Sequence, residues 1–171
     1  MRLNLGAGNT KLDGFISVDL YDTEADVRAD ITELPFDSES VDEIVCYQVI
    51  EHVPYNKSRQ MFDEMYRVLK PGGTAIVETP DIAVVSRKIL EEGLTDKWLF
   101  NLVGEYYRPW DKDRYDDWEM NAASIHRNPW TMERIVKFAF VAGFSGIERR
   151  EPDFYPCEEN LSVLLTKWGS L

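Results

Sequence analysis

Basic residues, cysteine and histidine are all scarce in this sequence. Lys and Arg total 19 against 31 Asp and Glu, a formal net charge of −12 over 171 residues. A nucleic-acid backbone is held by clustered cations that release its counterions. No long basic run is present, so DNA and RNA are set aside as partners. The two cysteines, Cys46 and Cys157, have neither disulfide-framework nor metal-ligand spacing. No metal site is expected, and Cys46, inside an apolar run, reads as a buried thiol. No apolar stretch approaches the ~20 residues of a membrane span, and no basic-then-apolar leader opens the sequence. The expectation is a cytoplasmic protein with no membrane contact. Repeats, low-complexity tracts and linkers are missing too, which leaves one domain over 1–171. The composition, 44% hydrophobic and 29% charged, is that of a globular fold with a proper core.

Several short apolar segments read as strands: Leu3–Leu5, Phe15–Asp19, Val27–Asp30, Val41–Cys46 and Thr74–Thr79. Between the last two, Met61, Met65, Val68 and Leu69 recur at helical spacing, predicting a helix over 57–69 that stops at Lys70-Pro71-Gly72-Gly73. Ile82–Leu90 reads as a further helix. Pro129–Ala142 is another, with Asn128 as its cap, Pro129 at the first helical position and Gly143 as its end. Ile147–Arg150 and Leu161–Trp168 are expected to pair as an antiparallel edge. Strands alternating with helices imply a mainly parallel sheet in an α/β fold.

Gly6 and Gly8 follow the first strand, where a missing Cβ lets backbone approach a ligand. Asp19 ends the second strand, where an acid can accept both hydroxyls of a ribose. With Asn4 and Ala7 these make a weak signal alone, and the order of the later segments strengthens it. The segments LNLGAGNTKLDGFISVDL, Ala29-Asp30, LPFDSESVDEIVCYQVIEHV and YRVLKPGG together resemble the class I S-adenosylmethionine-dependent methyltransferases, in particular the small "type 11" group. The resemblance runs from Leu3 to about Asp81 and implies a Rossmann-like methyltransferase fold with S-adenosyl-L-methionine as cofactor. It puts Asp19 and the neighbouring Leu20 at the ribose, Asp30 at the adenine amine and Ile31 beside the ring. Tyr47 and Gln48 fall near the methionine part. The implied reaction is methyl transfer to a small-molecule acceptor.

One departure from that family stands out. Eleven positions separate Gly8 from Asp19, and Asp13-Gly14 breaks the middle, so the first helix is shortened or absent. With no third glycine in register, a nicotinamide-dependent oxidoreductase is disfavoured. An S-adenosylmethionine-binding protein without transferase activity stays open as an alternative. His52 and His126 are the candidate catalytic residues, since an imidazole titrates near neutrality; a structural role stands beside that for each. Residues 94–120, rich in Trp, Tyr and Phe, are read as a lid or acceptor segment, with sheet cover or a dimer contact as alternatives.

Overall fold

Seven strands form one sheet in the computed structural model, which describes residues 1–104 and 125–169. They are β1 (Arg2–Leu5), β2 (Ile16–Asp19), β3 (Val27–Arg28), β4 (Val41–Tyr47), β5 (Leu69–Pro80), β6 (Gly146–Arg150) and β7 (Asn160–Thr166). Their order is β3-β2-β1-β4-β5-β7-β6. The first five run parallel, while β7 pairs antiparallel with both β5 and β6. The expected parallel sheet with an antiparallel C-terminal edge is therefore present. Helices among the described residues are α1 (Ser58–Val68), α2 (Ile82–Glu92), α3 (Asp96–Val103) and α4 (Met132–Ala142).

The two faces of the sheet differ. Leu3, Leu5 and Val18 share a face with Ile44, Cys46, Ala75, Val77, Val163 and Leu165, and all are buried in one apolar core. Helices α1 and α4 pack on each other over that face, through Phe62, Trp130 and Phe138. On the opposite face Asn4 stands beside Ser17, and both are buried polar residues. Asn4 donates to the Thr10 carbonyl, and the Ser17 hydroxyl and amide both bond Asp26. Lys11 bridges Ser17 to the Glu24 carbonyl.

No helix intervenes between β1 and β2, β2 and β3, or β3 and β4. A polar network closes the space where an apolar helix face would otherwise pack. This works because each buried polar group has a partner.

Two expected boundaries move. Helix α1 has already ended at Val68, with Leu69 extended, before proline or glycine is reached. Residues 70–73 instead bulge within β5, where the register against β4 slips between Val41 and Glu43; a proline tolerates such a site because it owes no ladder bond there. Helix α4 is capped by Thr131, whose hydroxyl accepts from the Arg134 amide. Asn128 is not the cap, and Pro129 does not open the helix. The Asn128 side chain is buried, donating to Ser58 Oγ at 2.7 Å and accepting from Arg134 at 2.7 Å. Tertiary partners outcompeted the local cap. Gly143 ends the helix with φ of 115°.

Candidate functional site

The strand order reverses between β1 and β4, and ligands of open α/β sheets bind beyond the carboxyl ends of strands at such a point. A cleft of about 710 Å³ lies there. Its walls come from the residues just after β1, β2, β3 and β4: Gly6 and Gly8, Asp19 to Thr23, Ala29 to Ile31, and Gln48 and Val49. His52, Lys57 and Arg127 complete it. The volume suits a nucleoside-sized ligand.

Gly6 is required by packing and backbone together: it has φ of 66°, and a Cβ there would sit 2.3 Å from Val49 Cγ2. Gly8 also has positive φ, 46°, but nothing lies within 4 Å of where its Cβ would be. It presents bare backbone to the cleft. Asp19 organises this wall. One carboxylate oxygen accepts from the Gly8 amide at 2.9 Å, and the other from the amides of Tyr21 and Asp22 at 2.8 and 2.9 Å. A carboxylate offers about four lone-pair sites; three are taken, so one remains for a ligand hydroxyl. Asp30 accepts from the Thr32 amide and hydroxyl and from Lys57 Nζ at 2.9 Å. Burial works to raise its pKa, but these bonds outweigh it and hold the carboxyl below its ordinary range.

A second hollow of about 220 Å³ shares Gly6, Gly8, Asn9 and Gln48 with the cleft and adds Asn4, Ala7 and Tyr47. Gln48 has φ of 57°, a left-handed backbone that costs a non-glycine residue about 1 kcal/mol or more. Its amide donates to the Glu78 carbonyl, and its side chain donates to Asn160 at 3.3 Å. Tyr47 stacks on Phe154 at 5.1 Å. Phe154 is held there by Glu78, a buried carboxylate at the end of β5 that accepts from the amides of Asp153, Phe154 and Tyr155. Asp19 and Glu78 thus do the same work on different loops.

His52 stands in the far wall of the cleft, with Glu51 and His126 close to it. Backbone bonds bring them together: the amides of Arg127 and Asn128 donate to the Glu51 carbonyl, and the Trp130 indole donates to the Ile50 carbonyl. Glu51 is 2% exposed, and burial pushes its pKa up to about 8. Thr79 bonds one of its oxygens at 3.0 Å, whereas Oε1 has no partner. His52 has its pKa pushed down to about 4, first by burial and then by the neighbouring His126 ring and the Arg127 charge. His126 is shifted down by burial as well. Both imidazoles are therefore neutral at pH 7. The rings meet edge to face at 5.0 Å.

Of the residues singled out from the sequence, Gly6, Gly8, Asp19, Leu20, Asp30, Ile31, Gln48 and His52 line the cleft. Asn4, Ala7 and Tyr47 line the adjoining hollow, and His126 contacts His52 from behind it. The aromatic segment falls mostly outside the described residues; within them, Trp98 is buried against Lys97 and Glu92, and Phe100 touches His126. Sequence reasoning missed Glu51, Glu78, Lys57 and Phe154. Glu51 had a signal, an acid in an apolar run beside a histidine. Phe154 had none, because only the tertiary fold returns that loop to β4.

A family model described as a methyltransferase domain matches residues 13–77. A "Probable S-adenosylmethionine-dependent methyltransferase" of Mycolicibacterium smegmatis is 44% identical over 57 residues, 33% of this chain and 21% of that protein. A demethylmenaquinone methyltransferase of Clavibacter sepedonicus is 39% identical over 64 residues, 36% of this chain and 25% of that protein. The chain thus matches a quarter or less of the length of these relatives. An S-adenosylmethionine-dependent methyltransferase structure from Archaeoglobus fulgidus superposes with a TM-score of 0.61 at 13% identity, covering 97% of this chain and 85% of that one. The chain thus has the fold of S-adenosylmethionine-dependent methyltransferase structures over nearly its whole length, and its residues 13–77 match the methyltransferase-domain family by sequence.

Proposed function

We propose that the cleft binds S-adenosylmethionine and that the protein transfers its methyl group to a small-molecule acceptor. The observation carrying this reading is the joint placement of Gly8, Asp19 and Asp30 around one cleft at the strand-order reversal. The residues fit the cofactor's parts. Asp19 keeps acceptor capacity for one ribose hydroxyl, and Asp30 offers an acceptor to an adenine amine, with buried Ile31 beside it. The bare backbone at Gly8 and the hollow under Tyr47 and Gln48 suit an extended amino-acid tail. Asp19 and Asp22 also favour a sulfonium charge.

The cofactor supplies an already activated methyl, so the protein's work is to position the acceptor and exclude water. His52 and His126 border that side. In metal-free protein a neutral His52 is able to accept a proton from an acceptor hydroxyl at Nε2, but its low pKa makes it a weak base. Positioning is thus the larger contribution.

Incubating the protein with methyl-labelled S-adenosylmethionine and separated cell fractions tests the reading. Label appearing in low-mass compounds, with S-adenosylhomocysteine released in equal amount, is the expected result. Label confined to protein or RNA would overturn the small-molecule acceptor, and cofactor binding without any transfer would make the chain a binding protein.

A further inference from the structure

We propose that Glu51, His52 and His126 bind one first-row divalent transition ion, of the zinc, iron or cobalt class, at the wall of the cleft. The three side chains each offer a ligand atom, and these atoms lie within 4.8 Å of one another. His52 Nδ1 lies 3.2 Å from the Ile125 carbonyl, and His126 Nδ1 lies 3.0 Å from the Asn101 carbonyl. A carbonyl only accepts, so each Nδ1 carries the hydrogen and each Nε2 keeps a free lone pair. Both rings are therefore fixed in the tautomer that ligates through Nε2.

The carboxylate is prepared in the same manner. Thr79 donates to Glu51 Oε2, leaving Oε1 buried, unpartnered and 4.0 Å from His52 Nε2. A buried polar atom without a partner costs about 1–3 kcal/mol, and a metal–ligand bond removes that cost. Ligating histidines that donate their other N–H to a carbonyl, beside a hydrogen-bonded carboxylate, are the usual outer support of a metal centre. Two imidazoles and one carboxylate select zinc or iron over magnesium and calcium, which prefer all-oxygen sets.

Metal–ligand bonds of about 2.0–2.2 Å place neighbouring donors roughly 3.0–3.5 Å apart. The widest pair, up to 4.8 Å apart, must therefore close by roughly 1.3–1.8 Å. Three protein ligands leave coordination positions open, and His52 lines the cleft, so an open position faces it. An acceptor oxygen binding there would be polarised and held in line for transfer. That last step rests on the transferase reading; the ion site does not.

Cobalt(II) is the probe, added to chelator-treated full-length protein. Ligand-field absorption saturating at one equivalent, displaced by zinc and unaffected by magnesium, is expected. Glu51→Gln keeps the Thr79 contact and replaces a neutral acid by a neutral amide, so its fold is retained; melting in chelator checks this. It and His126→Ala should each lower cobalt affinity by about 100-fold or more. No absorption change in wild type, or unchanged bands in both variants, overturns the proposal. S-adenosylmethionine titrated into the same chelated samples reports the cofactor reading separately, since Glu51 and His126 do not line the cofactor part of the cleft.

Discussion

The two walls of the cleft treat their polar groups in opposite ways. On the wall built by the loops after β1, β2 and β3, the Asp19 and Asp30 carboxylates each take several hydrogen bonds from their own chain. On the other wall a buried carboxylate oxygen has no partner and two imidazole nitrogens keep free lone pairs. The first wall is finished before any ligand arrives, and its role is shape. The second keeps unsatisfied valence, which persists in a fold only where the surroundings enforce it. In the proposed reading, cofactor binding falls to the first wall and acceptor positioning to the second.

The largest effect is expected from Trp130→Ala. Trp130 is fully buried between Phe62 and Phe138, and its indole holds the Ile50 carbonyl next to Glu51. Its loss should cost about 3–5 kcal/mol by chemical denaturation and loosen the second wall while leaving the Asp19 loop intact. Next, Gly6→Ala should cost about 2–4 kcal/mol, because the new methyl meets Val49 while the backbone stays in a left-handed conformation. That substitution breaks the first wall from within.

The second wall also has a pH signature in metal-free protein. Glu51 titrates at about 8 when folded against an ordinary 4.5, so the folded state holds the extra proton and stability falls as pH rises between those values. His52, at about 4 when folded against 6.5, has the opposite sign and adds stability as pH rises from about 4 to 6.5. The two offset up to about pH 6.5, and only the Glu51 slope remains from there to about 8. Glu51→Gln should therefore gain on wild type by about 2 kcal/mol across that window, read from melting curves in chelator. A parallel pair of curves would mean that Glu51 is ionised in the folded protein.

The smallest effect on stability is expected at Gly8. Gly8→Ala places a methyl in open space and costs about 1–2 kcal/mol for its backbone conformation alone. The same methyl enters the cleft, so ligand affinity should drop more than stability does. Gly6 and Gly8 thereby separate a glycine kept for packing from one kept for access.

Much of this was legible in the sequence because the N-terminal half carries its signals locally. Short apolar runs ending in Gly6-Ala7-Gly8, Asp19 and Asp30 gave both the strands and the first wall. The eleven-position spacing from Gly8 to Asp19 gave the missing helix, but not the polar network of Asn4, Ser17 and Asp26 that closes its place. Non-local features stayed hidden. Asn128 and Pro129 carry a strong local cap pattern, yet Ser58 and Arg134 claim the Asn128 side chain and the helix starts later, on Thr131. His126 and His52 were each visible as histidines, but their pairing depends on the chain returning to the Glu51 carbonyl from the far side of the fold.

The central claim is that the first wall is an S-adenosylmethionine site, and calorimetric titration tests it most directly. Wild type should bind S-adenosylmethionine and S-adenosylhomocysteine with micromolar affinity and give no heat with NAD. Asp19→Asn, which retains one accepting oxygen but not the charge, should weaken both adenosyl ligands by about tenfold or more. Absence of binding to either adenosyl ligand by a folded wild type, or equal binding by Asp19→Asn, would contradict the account.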